Sequence, residues 1–306
     1  MKKEANLPYI VTSISELHQL LALPKPEHPL VSVINMSEIK CHFDDNLRSV
    51  VYNFYSICIK KDFKGKMKYG QNSYDFDEGI LTFFSPGQVI STVTAEDISL
   101  SGWWLVIHPD FIQNYTLAKR IKEYGYFSYS VNEALHLSEK EEAMIETSMK
   151  NIAQEYRSII DTYSQDVMVS HIELVLNYAN RFYNRQFITR KQASNDLLIR
   201  LEGLLSDYFN SEKVQELGLP SVQYISDQLH ISPNYLSDML RSLTGQSTQQ
   251  HIHNKLIEKA KEILTTTSLS VSEIAYQLGF EYPQSFSKLF KGKTNVSPLE
   301  FRHSFN

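Results

Sequence analysis

An internal repeat in the last third of the chain constrains its fold more than any other feature. Residues 221–245, SVQYISDQLHISPNYLSDMLRSLTG, align with residues 270–295, SVSEIAYQLGFEYPQSFSKLFKGKTN, once a single-residue gap is allowed. Ser221, Ile225 and Leu229 match Ser270, Ile274 and Leu278 at an offset of 49. Beyond the gap, Pro233, Leu236, Leu240 and Thr244 match Pro283, Phe286, Phe290 and Thr294 at an offset of 50. Ser226 matches Ala275, where a small side chain lets two helices cross closely. Each copy reads as a helix, a short turn and a helix. Gly279 suits the sharp bend of the second copy, and His230 stands in its place in the first. This is the grammar of a helix-turn-helix, where the first helix braces the second and the second enters the major groove.

The second helix of such a unit needs two faces. In 283–292, Phe286, Leu289 and Phe290 form an apolar anchor, while Gln284, Ser285, Ser287, Lys288 and Lys291 are left facing out. A helix without an anchor cannot hold side chains in register. Its free face needs groups short enough to hydrogen-bond base edges, with cations for phosphates. Gln284 suits adenine, Ser285 either base, and Lys288 guanine or phosphate. Net charge does not advertise this role. The whole chain carries −5, and residues 195–306 hold 10 Lys and Arg against 12 Asp and Glu. Only 282–306 is basic, with Lys288, Lys291, Lys293 and Arg302 against Glu300. Any face that binds a polyanion must be local.

The two copies are joined by an amphipathic helix over 247–265. With that helix in place, the sequence resembles the AraC/XylS family of bacterial transcription regulators. The matching stretches are ISDQLHISPNYLSDMLRSLTG, KLIEKAKEILTTTSLSVSEIAYQLGF and SKLFKGKTNVSPLEFR; the last is similar to the family's closing pattern of helix, basic and polar loop, then S-P-x-x-F/Y-R. The resemblance covers residues 195–306. It implies two reading helices side by side in successive major-groove segments. Carried over by position, the first offers Asn234, Ser237, Asp238 and Arg241, and the second offers Gln284, Ser285, Lys288 and Lys291. Asp238 can accept from cytosine but repels phosphate, and Pro233 and Pro283 lack a donor. The first helix is therefore expected to contribute less affinity than the second.

The first half reads differently. A chain of 306 residues favours two domains, and no apolar run approaches the roughly 18 residues of a membrane span. No apolar run follows the N-terminal lysines, so no secretory signal is expected. Ser13 and Glu16 predict a capped helix over 13–22, ended by PKPEHP. From Leu30 to His108 the β-like runs LVSVI, VVYNFYSICI, ILTFFS, VISTV and WWLVI alternate with turn chemistry, as in a small barrel or sandwich. After Pro109 the pattern turns helical. Ser138 and Glu141 open a helix with the stripe Ile145, Met149, Ile152, Tyr156, Ile159. A second helix, about 165–186, carries Met168, Ile172, Val175, Ala179 and Phe182. A hairpin packed on its own barrel accounts for these stripes. A further stripe, Val169, Leu176 and Tyr183, is the expected interface of a homodimer. Residues 184–196 break the periodicity and mark a domain boundary; Arg185, Arg190 and Lys191 there either meet phosphates or sit in a solvated tether.

YDFDEGILTFFSPGQV (74–89) is similar to a cupin-type hairpin running into a Pro-Gly corner. The resemblance thus implies an α+β multidomain chain. Residues 1–110 form a cupin-like β-barrel sensor with an N-terminal helical arm, 111–193 a helical connector and dimerisation segment, and 194–306 an all-α double helix-turn-helix domain. A metal-dependent cupin enzyme needs clustered ligands, usually an H-x-H pair, whereas His18, His28, His42, His108 and His136 are far apart. Cys41 and His42 are adjacent on a strand pattern, so they point to opposite faces. Neither Cys41 nor Cys58 sits in a C-x-x-C pair, so both read as reduced thiols. Two cysteines also fall short of the four zinc ligands of the DNA-repair methyltransferase that carries a similar DNA-binding domain. The aromatics Tyr52, Phe54, Tyr55, Phe83, Phe84, Trp103 and Trp104 line a pocket or fill a core. The reading is a cytoplasmic, effector-responsive DNA-binding regulator, activator or repressor, with no enzymatic activity, no metal and no cofactor. Its expected partners are double-stranded DNA, a small-molecule effector or protein at the barrel, RNA polymerase and a second copy of the chain, with no membrane. The competing reading is a cupin-type, sugar-binding protein or enzyme with a helical tail that reads nothing.

Overall fold

The computed structural model describes residues 8–39, 49–61, 67–69, 72–74, 79–91, 101–130, 133–189 and 191–304. The chain divides into two compact units, Met1–Gln186 and Phe187–Asn306.

In the first unit, β1 (Tyr9–Val11) and α1 (Ile14–Leu20) precede β2 (Val31–Asn35), β3 (Ser49–Tyr52) and β4 (Tyr55–Lys61). There follow β5 (Met67–Tyr69), β6 (Asn72–Tyr74), β7 (Ile80–Phe84), β8 (Val89–Ser91) and β9 (Ser101–Ile107). Two one-turn helices, α2 (Pro109–Ile112) and α3 (Leu117–Arg120), lead through tight turns to the short β10 (Leu135–His136). The unit closes with the helices α4 (Glu139–Arg157) and α5 (Ser164–Thr189), the second of which runs past its end. The order β10-β7-β4-β9-β2 makes an antiparallel five-stranded sheet, and β1-β3-β8 a separate three-stranded one. One core lies between them: Val50, Tyr52 and Ile90 from the small sheet meet Cys58, Phe84 and Trp104 from the large one, with Ile14 and Leu17 of α1. The remaining described strands, β5 and β6, pair with each other in a two-stranded sheet.

Strand β4 is central, with Cys58 opposite Thr82 on β7 and Trp104 on β9. It is buried on both faces, which explains why its sequence is a continuous apolar run and not an alternating one. Burial pushes the Cys58 thiol up to about 12. At the end of β4, Lys61 Nζ bridges the carboxylates of Glu142 and Glu146 on α4, each at 2.5 Å. Burial alone would raise the Glu146 carboxyl, but hydrogen bonds from Lys150, Lys61 and Trp103, with the charge of Lys61, hold it at about 2. The strands and the helices between Pro109 and Gln186 are one unit, and the Val33 amide donates to the Tyr156 hydroxyl at 3.1 Å.

Two sequence expectations are corrected here. Ile145, Met149, Ile152 and Tyr156 line the buried side of α4, but Ile159 lies beyond its end and is 94% exposed. More consequentially, Val169, Leu176 and Tyr183 are interior side chains. The turn over residues 124–129 packs Tyr126 onto the Tyr183 ring, with centroids 5.6 Å apart, and the Tyr126 hydroxyl donates to the Leu176 carbonyl at 3.0 Å. The Tyr183 hydroxyl donates to the Glu133 carbonyl. The stripe read as a subunit interface therefore covers this chain's own aromatic turn.

The segment 184–196 is helical on both sides of residue 190, since α5 ends at Thr189 and the next helix starts at Lys191. Arg185 is not free for phosphate: its guanidinium grips Glu141 at 3.1 and 2.7 Å and reaches the His136 carbonyl. Arg190, Cys41 and His42 lie outside the described residues. Among the described residues, no helix is long and apolar enough to cross a membrane.

Candidate nucleic-acid interface

The second unit is helical: α6 (Lys191–Phe209), α7 (Lys213–Leu217), α8 (Val222–Leu229), α9 (Pro233–Thr244), α10 (Thr248–Thr266), α11 (Val271–Gln277), α12 (Pro283–Thr294) and α13 (Pro298–His303). Serines start most of them. The hydroxyls of Ser221, Ser232, Ser247, Ser270 and Ser297 each accept from the amide three residues on, which satisfies donors that a helix start leaves orphaned. At α11 and α13 the returning carboxylates, Glu273 and Glu300, are held below their ordinary range by these cap hydrogen bonds.

The repeat is preserved down to individual hydrogen bonds. Ile231 donates to the Ser226 carbonyl at 3.1 Å, and Phe280 to the Ala275 carbonyl at 3.0 Å. His230 donates to Asp227 and Gly279 to Tyr276. Both bends are left-handed, with φ 60° at His230 and 80° at Gly279, so the histidine makes the same turn as the glycine. The ends also agree: Gly245 and Asn295 both take positive φ, and the Thr244 and Thr294 hydroxyls donate to Leu240 and Phe290 at 2.8 Å each. One buried position differs in chemistry. The Ser226 hydroxyl is fully buried without a partner, where the second copy has Ala275. An unmade buried hydrogen bond is costly, so Ser226→Ala is expected to raise stability by about 1 kcal/mol, read from urea unfolding. A loss of stability would show that the hydroxyl has a partner.

Apolar anchors hold both second helices. Leu236 and Leu240 of α9 are fully buried, as are Phe286 and Phe290 of α12, which continue a row of rings from Phe280 to Phe301. Leu289 is only half-buried, less than the sequence predicts. Between the copies, α10 buries Ile252, Leu256, Ala260 and Leu264. The His251 ring on α10 meets the Thr244 hydroxyl at 2.9 Å, and burial lowers its pKa.

The outward faces differ from the expected set in one residue. Gln284, Ser285, Lys288 and Lys291 are all exposed on α12 and share one side of it. On α9, Asn234 and Arg241 are exposed, and Arg241 Nη1 lies 3.4 Å from Asp238 Oδ1. Ser237 is turned toward α10, where it hydrogen-bonds at 3.0 Å to the buried Thr248 hydroxyl, so it leaves the candidate face. Tyr235 takes the position equivalent to Ser285, its ring edge-on to Phe187 at 5.2 Å. The offset of 50 carried that signal in the sequence. The basic cluster of 282–306 is also smaller than its count. Arg302 donates to the Leu264 and Leu269 carbonyls at 3.1 and 2.6 Å, closing the end of α10, and Lys293 donates to Asn254. Lys288 and Lys291 remain on the open face. Among the described residues, no group of three or more His, Cys, Asp or Glu side chains is placed to hold a metal ion.

Residues 225–304 match the family model described as a helix-turn-helix domain. The chain is 32% identical over 146 residues to the uncharacterized HTH-type transcriptional regulator YfiF of Bacillus subtilis, covering 48% of this chain and 43% of that one. It is 27% identical over 149 residues to the HTH-type transcriptional activator RhaS of Escherichia coli O1:K1 / APEC, covering 49% of each. A solved transcriptional regulator from Chromobacterium violaceum, described by its AraC-type DNA-binding domain, is 21% identical with a TM-score of 0.33, covering 37% of this chain and 95% of that one. The chain spans less than half the length of either curated relative. The family match runs across both copies of the repeat, and the same bonds recur in each, so residues 225–304 form a helix-turn-helix domain similar to those of HTH-type transcriptional regulators.

Proposed function

We propose that the chain is a sequence-specific DNA-binding transcription regulator that reads duplex DNA with α9 and α12. The observation that carries this reading is the side of α12 that presents Gln284, Ser285, Lys288 and Lys291 to solvent above a fully buried phenylalanine anchor. Rigid anchoring with short polar groups and cations outward is what base readout and phosphate contact require. Selection of bound sequences from random duplex DNA by the full chain is the direct test, and an absence of enrichment overturns the proposal. The competing reading, a sugar-binding protein or enzyme with a passive tail, expects that absence.

Lys288→Ala separates two modes of contact. If Lys288 meets a base edge, specific binding weakens by about 1–3 kcal/mol with relaxed preference at one position. If it meets phosphate, binding weakens on every sequence and the salt slope falls by about one. Binding unchanged in both respects removes α12 as a reader.

The β unit is, in this proposal, a cupin-like sensor for a small-molecule effector or protein partner, acting through different affinity for DNA-competent and incompetent states. Contact with RNA polymerase and residence in the cytoplasm belong to the same reading. So does a homodimer, now assigned to the outer side of α5, where Val167 and Leu174 are exposed seven residues apart. The full chain is expected to sediment as a dimer at micromolar concentration, and Leu174→Glu as a monomer with its fold intact. A monomeric wild type contradicts this assignment.

A further inference from the structure

Since the two copies share one pattern of backbone bonds, side chains at equivalent positions of α9 and α12 compare directly. The offset of 50 pairs Asn234 with Gln284, Tyr235 with Ser285, Asp238 with Lys288 and Arg241 with Lys291. The amides are alike in chemistry. The charges are not. On its open face α12 carries two lysines, whereas α9 carries a carboxylate and a guanidinium joined at 3.4 Å.

A carboxylate on a helix that approaches DNA is repelled by phosphates, so a helix shaped for affinity alone gains nothing from Asp238. Its use lies in what it holds. Asp238 sits one turn before Arg241, which is the only arginine among these eight positions. A carboxylate partner restricts the guanidinium fork, and a fixed fork matches O6 and N7 of guanine. The Arg241 side chain stays 61% exposed while paired, which leaves its far edge open to a base. A lysine ammonium has no fork and suits phosphate as a point charge.

Resting on the DNA-binding reading above, we propose that the two copies divide their labour. Asp238 and Arg241 work as one unit that reads a single G·C base pair, Arg241 as the reader and Asp238 as its positioning residue. Lys288 and Lys291 supply the attraction to the backbone.

The test uses the full chain, the duplex that it selects, every single-base-pair variant of that duplex, and a range of salt concentrations. Arg241→Lys keeps the charge and loses the fork. It is expected to leave the salt slope unchanged while preference for guanine at one position falls about ten- to hundredfold. Asp238→Asn is expected to tighten binding to random DNA and to lower preference at that same position, and Asp238→Glu to restore it. Lys288→Ala is expected to lower the salt slope by about one with base preferences intact. Arg241 and Lys288 are exposed and Asp238 is half-buried, and unfolding midpoints near wild type in the four variants confirm the fold. Preference retained at every position in Arg241→Lys overturns the assignment, as does tighter binding of Asp238→Asn with preference intact. A shift of base preference in Lys288→Ala overturns its phosphate role. If the wild type selects no sequence, the DNA-binding reading itself fails; if it selects one that all variants share, only the division of labour fails.

Discussion

Gly279→Ala is expected to cost about 2–5 kcal/mol and to unfold the second helix-turn-helix under conditions where the wild type is folded. A Cβ at this position would lie 2.3 Å from the Val214 carbonyl oxygen and 2.8 Å from the Gly218 Cα, and its φ of +80° is already strained for any L side chain. The left-handed conformation costs about 1–2 kcal/mol, and forcing atoms into a filled site adds about 1–3 kcal/mol or more. Both obstructing atoms are backbone, so no side chain can swing aside, and α7 must move away from the bend. A domain with only about 5–15 kcal/mol to lose does not absorb that without consequence. Gly218→Ala is the control. It also has positive φ, but its Cβ would meet only the Gly279 carbonyl, at an ordinary 3.5 Å. It should cost no more than the conformational strain. Urea unfolding of both variants decides the matter, and equal losses would show that the close approach at Gly279 is unimportant.

Phe286→Ala should destabilise the same region by about 3–5 kcal/mol, the range for removing a buried phenylalanine. Its ring is fully buried between Phe280 and Phe290, at centroid distances of 5.5 and 5.8 Å, so its loss breaks the row of rings at its middle. Since Gln284, Ser285 and Lys288 stand on the helix this ring fixes, DNA affinity should fall well below that of the wild type even at temperatures where the mutant remains folded. Phe286→Leu, the residue of the first copy, should cost less on both counts. Thermal unfolding and DNA titration at low temperature measure the two effects separately. An unchanged midpoint in Phe286→Ala would mean that α12 is held by something other than its aromatic anchor.

The second unit was legible because its information is local and doubled. The apolar spacing of Ile225, Leu229, Leu236 and Leu240 recurs in the second copy, and the serine caps mark most of the helix starts. His230 looked like a departure from Gly279, yet the backbone gives both the same bend. What the sequence hid was long-range. Val169, Leu176 and Tyr183 repeat every seven residues as a subunit seam does, and only the packing of the aromatic turn at 124–129, which has no periodicity, shows that they face inward. The cations were misread for a related reason. Arg302 and Arg185 are spent on carbonyls and on Glu141, partners 33 or more residues away in the chain, and composition counts them as free. Ser237 follows from the family's positions, whereas the offset within the repeat points to Tyr235.

The unequal anchors of the two copies bear on how the chain reaches its fold. Duplicated neighbours are prone to exchange parts while folding, one half of a copy docking onto the wrong half of the other. Here α8 and α11 are close in pattern, with Ile225 and Leu229 against Ile274 and Leu278, and offer little to tell the partners apart. The second helices do. Phe286 and Phe290 would overfill a site shaped for Leu236 and Leu240, and the leucines would leave voids in the site shaped for rings. Each mismatch penalises the exchanged pairing, so the difference in side-chain volume acts as an address that returns each second helix to its own brace.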